Sequence, residues 1–577
     1  MGDHALARLE SLARPFRHRY LHHDELTAQL QAWAEAFPHL VRLQSLGESA
    51  EGRPLWLLTL GPDPDRARPS AWIDGNMHAS ELAGSSVALA MAEDVLRAHL
   101  APQASLHGLS PAVLERIRGL RVYVLPRMSP DGAELFLRTG QYVRSNPRDH
   151  RPGRPRTRWV LQDVDGDGLV LSMRVRDPQG DHVESREVPG LMVPRELEDE
   201  GPFYRVYPEG IVEGFDGDVI PDPAMLSDNE TDLNRNFPWS WRPEPHQDGA
   251  GAFPTSEPES RAVVGFLVKH PEIFALLNLH TFGGCFIRPL ADAPDNRMDA
   301  QDLALFRQIE AWGEELTGYP MVSGYEEFLY KPDKPLHGSF SDYAYFERGC
   351  VAYVTELWDL FAQIGLPRRK PFIQHYSHFT REDYVRLARW DAQHNAGRAF
   401  RPWRTVAHPQ LGTVEVGGVD PRVGLVNPSL EALPGVCLGH SAMFLRVMAL
   451  APALKLDTRV VEKGEARVVE LTVANEGYLP TYILASSREL PFNEPLQVRV
   501  ESHGVELLSA PTWTQPVGHL EGWGRGRHGA FVVPFHQRSR GNSTRKTLRW
   551  TVKGRGTLHI VVGSCRVGTV ETRVELG

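Results

Sequence analysis

The sequence predicts an α/β protein: a doubly wound, mixed but mostly parallel sheet flanked by helices, followed by an antiparallel β-sandwich. Three observations carry this. Apolar strand-like runs alternate with helix-periodic runs through the first 440 residues. A stretch rich in Pro, Gly, Asp and Arg, residues 149–228, interrupts that rhythm. Beyond about residue 440, short segments alternate apolar and polar positions between turns. Two domains follow, 1–440 with 149–228 as an insertion, and 441–577.

The elements justify themselves in order. "DELTAQLQAWAEA" (24–36) has helical apolar spacing behind Asp24, a suitable N-cap. "PLWLLTLG" (54–61) and "SAWID" (70–74) read as strands, and "SSVALAMAEDVLRAHL" (85–100) as a helix capped by Ser. "LRVYVLPRMSPDG" (120–132) is a strand ending in a turn. "EPESRAVVGFLVKH" (257–270) is a helix, "IFALLNLHTFGG" (273–284) a strand ending in a glycine loop, and "CVAYVTELWD" (350–359) a buried strand. Within the insertion, "LVLSMRVRD" (169–177) is strand-like, and an ordered stretch of that length is expected to carry function or structure of its own. "ARVVELTVANEG", "LQVRVES", "TLRWTVKG" and "TLHIVVGS" supply the sandwich strands.

Composition narrows the function classes. The chain has 577 residues, 41% hydrophobic and 24% charged, with net charge −10. No Lys/Arg run suggests nucleic acid or an anionic membrane, and no apolar stretch approaches the roughly 20 residues that span a bilayer. The first residues lack a signal core, and four scattered Cys are no disulfide framework. These features favour the cytoplasm, with secretion by an unusual route left open.

His-x-x-Glu occurs three times, at His22/Glu25, His78/Glu81 and His503/Glu506. Only His78 follows a strand and precedes a helix, the carboxyl edge where open α/β sheets place ligands. A catalytic zinc site takes three protein ligands and leaves one position open. His280, ending another strand before two glycines, is the third candidate. "TDLNRNFP" (231–238) puts Asn234 beside Arg235, whose planar fork suits a carboxylate. Glu356 lies inside an apolar strand, a costly place for a carboxylate unless chemistry requires it.

Together "HASE", "DLNRNFP", "LHTFGG" and "TELWD", in this order, resemble the zinc carboxypeptidases of the carboxypeptidase A type. The similarity runs over roughly residues 20–440, and is greatest to a bacterial-like branch with a large insertion and a C-terminal β-domain. It implies a carboxypeptidase-like fold and one Zn²⁺ on His78, Glu81 and His280. It implies Glu356 as general base, with Asn234 and Arg235 holding the terminal carboxylate of a peptide. The oxyanion-stabilising Arg falls on Arg144 or Arg148 in "QYVRSNPR", Arg144 being favoured. Ser341 stands at the pocket floor and gives no counter-charge for a basic side chain. The mobile tyrosine of the family is unassigned, with Tyr330 nearest and His337 competing. Asp163, Asp165 and Asp167 in "DVDGDG" have calcium-loop spacing, but residue 174 is Arg rather than the closing Glu. Ca²⁺ or an acidic glycine turn are the two readings.

The implied activity is hydrolysis of the C-terminal peptide bond of peptides bearing a free carboxylate. Nucleic acid and membrane are not expected partners, and the oligomeric state is open. A zinc amidohydrolase acting on N-acyl amino acids or cell-wall peptides is the alternative. An inactive peptidase scaffold used as a binding module is the second.

Overall fold

A computed structural model of the chain describes residues 2–147, 157–223, 231–244, 246–331, 333–508, 512–524 and 541–577. Eight strands form the central sheet: β1 (Val41–Glu48), β2 (Pro54–Leu60), β3 (Ser70–Gly75), β4 (Arg121–Leu125), β5 (Ile273–His280), β6 (Cys285–Arg288), β7 (Met321–Ser323) and β8 (Val351–Glu356). Their order is β1-β2-β4-β3-β5-β8-β6-β7. The central run β4-β3-β5-β8 is parallel throughout, while β1, β2 and β6 enter through antiparallel pairings. The mixed, mostly parallel sheet expected from the sequence is therefore present.

Both faces of this sheet are covered, which is why its strands read as unbroken apolar runs. Ala71, Ile73, Leu277 and Tyr353 pack on one side with helices Ala83–Leu100 and Leu433–Met448. Trp72, Leu276 and Ala352 pack on the other with Val263 and Phe266 of helix Pro258–Lys269. Two expected caps differ. The helix expected at 24–36 runs His23–Ala36, and the Glu25 carboxylate accepts the His22 N–H, so Asp24 sits in the first turn. Helix Ala83–Leu100 starts before Ser85, whose hydroxyl donates to Asn76 instead.

The inserted stretch does not stand alone. Its strands Ser172–Arg176, Phe203–Pro208, His182–Glu184 and Met192–Pro194 join the hairpin Phe400–His408/Gly412–Val419 in one six-stranded antiparallel sheet. The joint is Ser172–Arg174 against Glu415–Gly417.

The C-terminal sheet holds β9 (Leu454–Lys463), β10 (Ala466–Asn475), β11 (Leu496–Leu507), β12 (Gln515–Gly518), β13 (Arg545–Ser564) and β14 (Gly568–Leu576), all antiparallel. These strands are hydrogen-bonded into one six-stranded sheet. The first half of β13 pairs with β10, and the second half with β11 and β14. Leu471, Trp550, Ile560 and Val574, from both halves, share one apolar cluster. His503 and Glu506 lie within β11. Among the described residues no helix is long and apolar enough to cross a membrane.

Arg566, between β13 and β14, ties this sheet to the α/β body. It is 1% exposed and donates to the carbonyls of Pro271, Ile273 and Gly349, at the entrances of β5 and β8. Removing the guanidinium takes the donor from the buried Gly349 carbonyl and the part-buried Pro271 carbonyl, and leaves Ile273 O with only the Cys350 thiol. Arg566→Ala is expected to lower stability by about 3 kcal/mol, read as a lower urea midpoint, because unmet buried groups carry their full desolvation cost. An unchanged midpoint would deny Arg566 this role.

Candidate metal centre

The site forms where parallel strands end. His280 closes β5 and lies opposite Glu356, which closes β8. β3 ends at Gly75, and the chain turns through Asn76–Leu82 into helix Ala83–Leu100. The turn is tight because backbone packs on backbone. A Cβ on Gly84 would lie 2.8 Å from the Asn76 nitrogen and 2.9 Å from the Leu279 oxygen. Asn76 donates to the carbonyls of His78 and Ala79, and Ser129 to that of Met77, so the turn is held from inside.

This brings His78, Glu81 and His280 together, all buried, their ligand atoms within 4.8 Å of one another. His78 Nδ1 is 2.8 Å from Glu81 Oε1, and His280 Nδ1 is 3.0 Å from Glu81 Oε2. The two Nδ1 atoms are 2.9 Å apart. Each ring's other nitrogen faces an oxygen: Asp232 Oδ1 for His78, at 3.1 Å, and Asn278 Oδ1 for His280. Those acceptors take the Nε2 protons and leave both Nδ1 lone pairs pointing inward with a carboxylate. Two imidazoles and one carboxylate so oriented fit Zn²⁺.

The second ligand's support is a buried line. Asn278 Nδ2 donates to Asp74, and Asp74 accepts from Trp72 Nε1 at 2.7 Å, which fixes the Asn278 amide with its oxygen toward His280. Burial pushes Asp74 up to about 7. Burial also works against the Glu81 carboxylate, but the two rings more than offset it and hold it far below the usual range.

Arg144 reaches the same centre. Its Nε is 3.0 Å from Asp232 Oδ2 and its Nη1 is 3.7 Å from Glu81 Oε1, while its carbonyl accepts from Ala79 N. Arg148 lies outside the described residues. Glu356 is buried, and burial together with the Glu81 charge pushes it well above the ordinary carboxylate range, against the pull of Arg144. Gly283 makes room beside it, since a Cβ there would overlap the Tyr376 hydroxyl and approach Glu356 Cβ to 3.2 Å.

Asn234 and Arg235 lie in a short helical turn capped by Asp232. Asn234 Oδ1 accepts from Phe340 N, so its amide nitrogen is the free end; Arg235 Nη1 donates to the Asn234 carbonyl at 2.6 Å. Among the described residues no carboxylate lies within ion-pair distance of Arg235. Ser341 is buried, 3.5 Å from Ser339 Oγ. Tyr330 lies among the charges of Arg144, Arg235 and Glu356, whereas the His337 ring bonds to Ser240. The acidic turn has protein partners: Asp163 accepts from Gly166 and Gly168, and Arg404 sits on Asp165 and Asp167. Asp163 and Asp165 also lie with Glu209 so that one ligand atom of each falls within 4.8 Å of the others, and both readings stand.

Asp232 and Asn278 are the site residues not singled out from the sequence. Asp232 stands two positions before Asn234, and Asn278 two before His280, which puts it on the same face of a strand.

A family model described as zinc carboxypeptidase matches residues 26–167 and 221–376. The chain belongs to this family. Human carboxypeptidase D is 34% identical over 139 residues, which is 20% of this chain and 10% of that protein. A zinc carboxypeptidase of Saccharothrix mutabilis subsp. capreolus is 28% identical over 135 residues, 23% of this chain and 29% of that one. The chain thus spans a minor part of the length of the curated relatives it matches. Bovine thrombin-activatable fibrinolysis inhibitor, solved with a tick carboxypeptidase inhibitor, aligns at TM-score 0.43 and 14% identity, covering 75% of this chain and 97% of that one. Residues 454–575 match a second family model, described as a domain of unknown function.

Asn278→Ala is expected to weaken zinc binding by about 10–100-fold, the usual cost of losing a group that orients a ligand. Competition against a chromophoric chelator measures it, and unaltered affinity would show that His280 needs no such support.

Proposed function

We propose that the protein is a zinc-dependent metallocarboxypeptidase that removes the C-terminal residue of peptides. The observation carrying this reading is the convergence of His78, Glu81 and His280 beside both Glu356 and Arg144. His78, Glu81 and His280 would hold the metal. When bound, Zn²⁺ supplies Lewis acidity toward water and the scissile carbonyl.

The chain's own residues do the rest. Glu356, kept basic by burial beside Glu81, takes a proton from the attacking water and passes it to the leaving amine. Arg144 gives its guanidinium to the oxyanion that develops at the carbonyl; for this it turns from Asp232, 3.0 Å away. Asp232 keeps His78 in the tautomer a ligand needs. Arg235 receives the substrate's terminal carboxylate on its open fork, with the Asn234 amide beside it. Ser341, beside Ser339, contributes a neutral hydroxyl to the side-chain pocket, so neutral terminal residues are favoured over basic ones.

Glu356→Gln is expected to keep its zinc while losing about 10²–10⁴-fold in kcat, the range for removing a general base. Metal analysis and peptide turnover on the same preparation decide this, and near-normal turnover would move the base elsewhere. Amidating the C-terminus of a good substrate should cost at least about tenfold in kcat/KM, because a neutral amide does not pair with a guanidinium as a carboxylate does. Arg235→Ala should nearly erase that difference. Equal rates on free and amidated peptides would instead favour an amidohydrolase of the same metal and base.

A further inference from the structure

The seam between the α/β body and the C-terminal sheet carries an open cavity of about 540 Å³. It lies far from the metal centre. The loop that lines it, Arg66–Pro69, enters β3 at Ser70, whereas His78 follows the other end of that strand, roughly 20 Å away at 3.3 Å per residue. One wall comes from this loop and helix Pro111–Arg118, the other from Pro452, Glu476 and Val567.

Its polar lining is unbalanced. Arg66, Arg68 and Arg116 all face it. Arg66 donates to the carbonyl of Thr569 and Arg116 to that of Glu476, contacts that place both guanidinium groups across the seam but neutralise neither. Arg68 has a buried Nε with no hydrogen-bond partner, and its nearest acid, Asp63, is exposed and 3.8 Å away. The acids on the wall are already engaged, Glu115 by Arg118 and Glu476 by Lys455 at 3.1 Å. The surplus is felt by its neighbours. Burial and Arg66 bring Arg68 below the ordinary arginine value, and burial with Arg118 and Arg68 lowers His99 to about 4. Between the charges the walls are apolar: Leu120, Ala451, Pro452, Val567 and Val570.

We propose that this cavity is a binding site for a phosphate monoester carried on an apolar body, held by Arg66, Arg68 and Arg116 across the seam. A dianion answers a surplus of several guanidinium charges better than a single carboxylate does. Planar guanidinium forks match phosphate oxygens in pairs. Because both walls contribute, the bound anion ties the C-terminal sheet to the body, which gives the sheet a ligand-dependent hold on the catalytic part.

The test is calorimetric titration of the zinc-loaded full chain with phenyl phosphate at fixed ionic strength, with inorganic phosphate and phenol alongside. Phenyl phosphate should bind more tightly than either. Arg68→Gln and Arg116→Gln should each weaken it by about tenfold or more, the scale of losing a charge-assisted pair, while peptide turnover stays unchanged. Ala112→Glu, an exposed position on the same wall, should abolish binding without disturbing the fold. Arg235→Ala should leave the binding intact. Affinity that survives all three wall variants, or that disappears in Arg235→Ala, would overturn the proposal. So would phenol binding as tightly as phenyl phosphate.

Discussion

Two imidazole nitrogens 2.9 Å apart, with a carboxylate 2.8–3.0 Å from each, cannot stay buried without positive charge between them. Much of the surrounding architecture answers that constraint. Parallel strands bring His280 to the sheet's edge, the strand-to-helix turn brings His78 and Glu81 to meet it, and glycines let backbone pass where a side chain would not fit. The outward nitrogen of each ring is given an oxygen, so neither ring is free to turn its lone pair away. A proton shared among the three would satisfy charge. Only a multivalent cation also satisfies three donors aimed at one point, which is why the donor set reads as a metal centre rather than as an ordinary ion pair.

The same economy of charge explains why Glu356 and Glu81 differ. Both are buried carboxylates within each other's field. Glu81 lies between two imidazoles and is driven down; Glu356 has no such neighbours, and burial with the Glu81 charge drives it up. One is thereby fitted to be a ligand and the other a base, from the same side-chain chemistry. Arg144 adjusts both, and Asp232 holds Arg144 and His78 at once.

How much of this was legible follows from the range over which each signal acts. A strand, a turn with small residues and a helix are local, so His78 could be told from His22 and His503 by context alone. Strand periodicity also puts Asn278 on the face of His280, a signal as local as the others. Pairing between Ser172–Arg176 and Gly412–Val419 has no local signature, because two strands over 200 residues apart need only be compatible, not alike. The inserted stretch therefore read as separate when two of the six strands of its sheet come from near residue 400. Asp24 is a case of the other kind: several polar groups at a helix start compete, and geometry puts His22 at the N-cap with Glu25 accepting its N–H.

The C-terminal sheet shows where local reading stops for a different reason. Its strands announced themselves by alternation, but its attachment rests on groups that alternation does not mark. Arg566 is charged, fully enclosed and donates to three backbone carbonyls. Asp302 of helix Ala300–Thr317 accepts the N–H groups of Ala485 and Ser486, and Leu479, Ile483 and Leu484 enter the body's own core. An interface that buries an arginine against carbonyls, and shares a core, is costly to open, since each separated group would need water in its place. The sheet is thus continuous with the body through its packing. One of its ties, through Arg566, falls at the entrances of β5 and β8, the two strands whose far ends carry His280 and Glu356.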